Sequence, residues 1–186
     1  MPKRTTYSRR VTPVSVALLA MLALLCGLAV YGAFCSGPSS RSSATDPSTY
    51  EAATVLWVSD GDTLFVRRAS GEEVYVRLIG IDAPESVNPD ESRNTPEGEA
   101  AAAFVKDLVA PGIRVWLARD VSDTDKYGRL LRYVWLEKPA DPLSVDEVRE
   151  KMLDAVIVAA GHADVKRYPP DTTYHSILAR IAREAA

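Results

Sequence analysis

Cysteine is nearly absent from this 186-residue chain: Cys26 and Cys35 are the only two, and both lie in or at the edge of one uncharged stretch. The remainder therefore has no disulfide and no thiolate metal site to draw on. Histidine is as scarce. His162 follows a helix-ending glycine and His175 sits near a helix start, both common surface positions, so a zinc site of His and Cys ligands is not expected. Charge of either sign is missing from Val11 to Ser40, and no acid precedes residue 41. Within that gap Val14 to Phe34 is apolar over 21 residues, which as a helix rises about 30 Å and matches the hydrocarbon thickness of a bilayer. Lys3, Arg4, Arg9 and Arg10 stand before it, so the N-terminus is expected to stay in the cytoplasm and everything from Gly37 onward to lie outside. The run exceeds the usual length of a secretory core, which favours a retained anchor over a cleaved signal. Leu25 and Phe34, the residues before the two cysteines, are too large for a lipoprotein site.

An excess of basic residues is the last thing missing. Four of the 22 lysines and arginines and none of the 25 acids precede residue 41, so residues 41–186 carry 18 bases against 25 acids, a formal net charge of −7. Non-specific affinity for nucleic acid normally comes from basic patches, so any such binding here must be local or assisted by a cation.

What is present falls into four expected regions: a basic terminus (1–13), a membrane or signal segment (14–34), a Ser, Thr, Pro and Gly-rich linker (35–50) and a folded domain (51–186). With 47% hydrophobic residues, the chain has enough for a core. Thr54 to Val58, Thr63 to Arg68 and Glu73 to Ile81 read as a three-strand meander turned at Asp60-Gly61-Asp62 and Ser70-Gly71. Thr95-Pro96-Glu97 opens a helix that Pro111-Gly112 stops. Strands follow at Ile113 to Ala118 and Leu130 to Leu136. Ser144-Val145-Asp146-Glu147 is a capping box opening a second helix to about Ala160, and a third runs from Thr173 to Ala185. This is an α+β, mainly β order: five strands, with a helix between the third and fourth, as in an OB-fold barrel with three packed helices. Trp57, Trp116 and Trp135 fall in strands, where core packing is the default.

Arg77 is the oddity, a guanidinium inside an apolar strand, and such a group needs an anion. Asp82 and Glu85 leave the strand on the stiff turn around Pro84, and close carboxylates repel unless a hard cation holds both ionised. Two readings stand: Arg77 pairs with its own neighbours, or the acids take a cation and Arg77 faces a phosphate. Asp62 reaches the same rim as Asp82 and Glu85, because strands one and three of a meander end together. Arg129, in Asp125-Lys126-Tyr127-Gly128-Arg129, supplies a second planar fork suited to phosphate.

Asp60-Gly61-Asp62-Thr63, the run from Arg77 to Glu85, Pro96-Glu97 opening a helix and Asp125 to Arg129 together resemble the thermonuclease, or staphylococcal-nuclease-like, family, in order over Thr54 to Leu178. The resemblance implies a Ca²⁺ ion held by Asp62, Asp82 and the main-chain carbonyl of Ala83, where the family usually has Thr, with Asp60 in the outer shell. It implies that Glu85 orients or deprotonates the attacking water and that Arg77 and Arg129 neutralise the transition state. Lys126, Tyr127 and Tyr168 would contact the nucleotide. Three acids, one divalent ion and two arginines then leave one positive charge for a phosphodiester. The expected protein is a monomeric, extracytoplasmic, membrane-tethered nuclease acting on DNA and RNA, with Ca²⁺ bound at a weak three-carboxylate site. An OB-fold module that binds without cutting, or an adaptor of the cell envelope, is the competing expectation.

Overall fold

A computed structural model describes residues 49–87 and 90–186; the basic terminus, the membrane segment and nearly all of the linker lie outside the described residues. Among the described residues no helix is long and apolar enough to cross a membrane.

Three antiparallel strands open the domain: β1 (Tyr50–Asp60), β2 (Thr63–Arg68) and β3 (Glu73–Leu78). They alternate as a half-buried sheet should, with Val55, Val58, Leu64, Val66, Val76 and Leu78 facing inward. Helix α1 (Pro96–Leu108) follows, and its N-cap Thr95 accepts the Gly98 N–H at 3.0 Å. Strands β5 (Arg114–Ala118) and β6 (Leu130–Trp135) complete a closed barrel in the order β1-β2-β3-β6-β5, with β5 returning to β1 and β6 running parallel to β3. Closure leaves the five strands without a free edge. Trp135, Tyr133, Leu117, Leu153, Ile157, Leu178 and Ile181 fill the interior and its helical cover, each buried aliphatic side chain contributing about 1.5–3 kcal/mol.

Four expectations change. The third strand does not run on to Ile81: Gly80 takes φ +85, and a Cβ there would meet Leu178 and Tyr133. The chain turns out of the barrel, and β4 (Ile81–Asp82) pairs instead with β7 (Asp164–Val165). The expected second helix is two, α2 (Val145–Lys151) and α3 (Leu153–Ala159), because extended Met152 bridges to Trp135 and Leu136 donates to the Lys151 carbonyl at 2.8 Å. The last helix, α4, spans His175–Ala185 and starts two residues late, since Thr173 is held by Asp120. The domain thus has four α-helices rather than three. Finally, Trp135 is buried but Trp57 is not; a bulge between Val55 and Trp57 keeps its ring on the outer face, 45% exposed.

Candidate functional site

The β1–β2 turn is the first wall of the site. Asp60 pairs with Thr63 around Gly61-Asp62, and a Cβ on Gly61 would stand 2.9 Å from the Cβ atoms of both Ala83 and Ala101. Only glycine lets this turn press against α1 and the segment after β4. Asp62 is delivered buried. Its carboxylate accepts from Thr63 Oγ1 (3.0 Å) and Ala83 N (3.1 Å) and meets Arg77 Nη1 at 2.6 Å. Burial pushes its carboxyl above the usual range, and the Arg77 charge pulls the other way.

Arg77 comes from β3 with its side chain 13% exposed, and its fork is shared. Nη2 reaches Asp82 Oδ1 at 3.1 Å, while Nη1 donates to the Leu78 carbonyl at 2.9 Å. Of the two readings of this residue, pairing within the rim is what the geometry displays, although the partners are Asp62 and Asp82 together. A nearly buried guanidinium needs its charge and donors met, and two carboxylates on the cleft wall meet them. Asp82 remains 42% exposed and also takes Lys166 Nζ at 3.1 Å and the Tyr168 hydroxyl at 3.3 Å.

Glu85 is set by α1. Its carbonyl accepts the Thr95 N–H at 2.9 Å, and a Cβ on Gly98 would run into that carbonyl, so the first turn of the helix lies flat on the Glu85 backbone. Asp60 stands at the start of the β1–β2 turn. Its Oδ1 accepts Gly61 N (2.8 Å) and Ser86 Oγ (2.7 Å), tying the turn to the residue after Glu85.

Arg129 arrives from the loop before β6. Asp125 Oδ1 accepts the N–H groups of Tyr127 (2.9 Å) and Arg129 (3.0 Å), and Asp125 Oδ2 takes Arg129 Nε at 2.7 Å. Burial alone would raise the Asp125 carboxyl, but these bonds outweigh it and hold the group below its ordinary range. Arg129 Nη1 lies 3.4 Å from Thr63 Oγ1, which brings this loop to the β1–β2 turn. Tyr127 is exposed, with the Lys126 ammonium 4.9 Å from its ring centre.

Asp62, Arg77, Asp82, Ala83, Glu85, Tyr127 and Arg129 thus line one open cleft of about 570 Å³, together with Val87 and Arg93. Asp60 and Lys126 stand behind or beside it. Tyr168 borders an adjoining cleft of about 390 Å³ that Arg77 and Arg129 also line. Arg93 and Lys166 join the residues expected from the sequence. Arg93 sits in a single 3₁₀ turn (Glu91–Arg93) inside a stretch that reads only as a polar loop, whereas Lys166-Arg167 just before Tyr168 is a signal that could have been used.

The donors facing the cleft are hard oxygens, with no cysteine or histidine among them. Their chemistry fits a hard divalent cation. Among the described residues no three acids or histidines converge as a metal cluster. Asp62 and Asp82 stand beside the main chain of Ala83, and Asp60, on the same turn as Asp62, has its Oδ1 taken by Gly61 N and Ser86 Oγ. With Arg93 counted, three guanidiniums balance three carboxylates along the wall, in a domain that is otherwise acidic.

Residues 75–186 match the model of the family described as "Staphylococcal nuclease homologue". A thermonuclease of Staphylococcus intermedius is 36% identical over 149 residues, 80% of this chain and 79% of that protein. A thermonuclease of Staphylococcus hyicus is 30% identical over 174 residues, 92% of each chain. An endonuclease of Bacillus subtilis, YncB, is 34% identical over 116 residues, 62% of this chain and 48% of its own.

Proposed function

The chain belongs to the staphylococcal nuclease homologues and is a nuclease, a phosphodiester hydrolase, and from that premise we propose that it is a Ca²⁺-dependent endonuclease acting on DNA and RNA outside the cytoplasm. The observation that carries this reading is the single cleft into which separate segments deliver Asp62, Asp82, Glu85, Arg77 and Arg129. Asp62, Asp82 and the Ala83 carbonyl would hold the ion. When bound, Ca²⁺ supplies a Lewis acid to a phosphate oxygen.

Glu85 takes a proton from the attacking water, whose oxygen bonds to phosphorus as the ester P–O bond breaks. Arg77 and Arg129 both line the cleft and donate to the phosphoryl oxygens as negative charge develops there. The Asp125 bonds keep the Arg129 loop in one shape, so the fork is positioned before substrate arrives. The leaving oxygen takes its proton from solvent at the open side. Tyr127 and Lys126 beside the cleft, and Tyr168 against Asp82, flank the scissile phosphate. All of these groups address phosphate, which DNA and RNA share, and this is why both are proposed as substrates. Residues 14–34 would tether the domain on the far side of the membrane.

The test uses the full chain with plasmid, single-stranded DNA and RNA, in Ca²⁺ or chelator. Cleavage is expected to stop in chelator and resume when Ca²⁺ is restored; chelator-insensitive cleavage removes the ion from the reading. Glu85→Gln should lower kcat by about 10²–10⁴-fold while calorimetric Ca²⁺ affinity stays in place. Unchanged turnover removes Glu85 from the mechanism, and binding of nucleic acid without any cutting favours the non-cleaving module.

A further inference from the structure

Trp57 on β1, Phe65 on β2 and Tyr75 on β3 are cross-strand neighbours: Trp57 pairs with Phe65, and Phe65 with Tyr75. Their rings form a continuous row on the outer face of the barrel. Trp57 and Phe65 stack with centroids 4.0 Å apart and planes 21° apart, and Tyr75 tilts against Phe65 at 4.6 Å. Trp57 is 45% and Tyr75 42% exposed. Large aromatic side chains normally bury in a core or find a partner, and among the described residues the ring contacts of these three are with one another.

Their position relative to the cleft gives the row its meaning. By strand alternation the next pair on the same side of the β2–β3 ladder is Thr63 with Arg77, Thr63 buried and Arg77 nearly so, while the intervening Leu64 and Val76 point into the barrel. Strand geometry puts that pair about 7 Å further along the same face. The row therefore continues directly from the arginine that lines the cleft. A chain whose phosphate reaches Arg77 and Arg129 must leave the cleft somewhere, and here it would pass over three π-faces. The row holds no basic residue, and Arg67, on the side away from the cleft, is paired with Glu73 at 2.8 Å. In a domain with net charge −7, affinity along this exit has to come from stacking rather than from phosphate neutralisation. Stacking accepts any base but needs its face free, and a duplex keeps those faces inside.

We propose that Trp57, Phe65 and Tyr75 form a base-stacking subsite, outside the rim of charged residues, that holds the unpaired strand leaving the cleft. The proposal rests on the nuclease reading of the cleft and adds a binding subsite to it.

The experiment compares the full chain with Trp57→Ser/Tyr75→Ser, both positions being exposed, and with Tyr75→Ser alone in case the double variant unfolds. The substrates are a single-stranded oligothymidylate, the same strand in duplex, and a thymidine dinucleotide too short to reach the row. The variant should raise KM for the single strand about ten-fold and more than for the duplex, and leave kcat and the dinucleotide kcat/KM unchanged. The ratio of the two KM values should persist between low and moderate salt, because stacking releases no counterions. An unchanged KM, or an equal loss on the dinucleotide, overturns the platform. Fluorescence anisotropy with the same oligothymidylate separates this from the catalytic reading. If the chain cuts nothing yet the variant binds about ten-fold more weakly, the platform stands and the catalytic reading falls. A wild-type dimer that the variant dissolves, with oligonucleotide affinity intact, would assign the row to a second copy and overturn the proposal.

Discussion

At the rim, Asp62 and Asp82 share the guanidinium of Arg77, and both line a cleft. Beside the start of α4, Asp120 and Asp171 are as buried as Asp62, yet they accept from neutral donors. Asp120 takes the Tyr133 hydroxyl (3.2 Å), Thr173 N (2.9 Å) and Thr173 Oγ1 (3.0 Å), and Asp171 takes Val121 N (3.0 Å) and Ser122 N (2.7 Å). The second pair is a reciprocal stitch between two loops about fifty residues apart, each aspartate holding the segment that bears the other. Both regions use aspartate, and what distinguishes them is where the acceptor capacity goes. A carboxylate saturated by backbone N–H groups fixes the chain, whereas one paired with an arginine at a cleft wall keeps a charge that a substrate or ion can compete for.

The largest expected effect breaks the rim half of this comparison. Arg129→Ala should lower kcat by about 10²–10³-fold. It should change the urea midpoint little, since Asp125 keeps its two backbone donors. A comparable loss of stability would mean that the rim arginine is as structural as the stitch. Next comes the stitch itself. Asp120→Ala strands the buried Tyr133 hydroxyl and the Thr173 N–H, so unfolding free energy should fall by about 1–3 kcal/mol while kcat of the folded fraction is unaffected. A drop in kcat without a drop in stability would erase the distinction.

The last test concerns a further acid that belongs to neither region. Asp154 is fully buried, accepts Val134 N at 2.9 Å, and burial pushes it up to about 8. Its folded pKa lies above its unfolded one, so the native state holds the extra proton and stability should decline as pH rises from about 4 to about 8, then level off. Asp154→Asn should flatten that segment of the stability profile, measured by urea unfolding across the range. A slope that survives the substitution would assign it to other groups.

Much of this was legible in one dimension. The inward residues of β1, β2 and β3, the Thr95 and Ser144 caps and the ordered acid and arginine motifs are local signals, and the barrel, α1 and the cleft residues followed from them. The rest depends on contacts between distant segments. Met152 breaks a well-patterned helix because Trp135 offers it a bridge. Thr173 is kept out of α4 by an acid 53 residues away. Asp60 carries a motif position that suggests an ion, and the structure adds that its Oδ1 also ties Gly61 N to Ser86 Oγ. Trp57 reads as core from strand content alone, but the bulge after Val55 puts it on a face that no other described element covers.

The sequence by itself determined which side chains this protein has for its chemistry: hard oxygens and guanidiniums without thiols, an acidic domain, and strands whose period of two sends alternate residues to opposite faces. Tertiary structure decided how they are shared. It put one guanidinium between two carboxylates, tied Asp60 to Ser86, brought Lys166 and Tyr168 to Asp82, and lined up three aromatic rings on the outer face of the barrel. The reason is range: periodicity and capping act over a few residues, but a buried charge takes whatever partner barrel closure brings within hydrogen-bond reach.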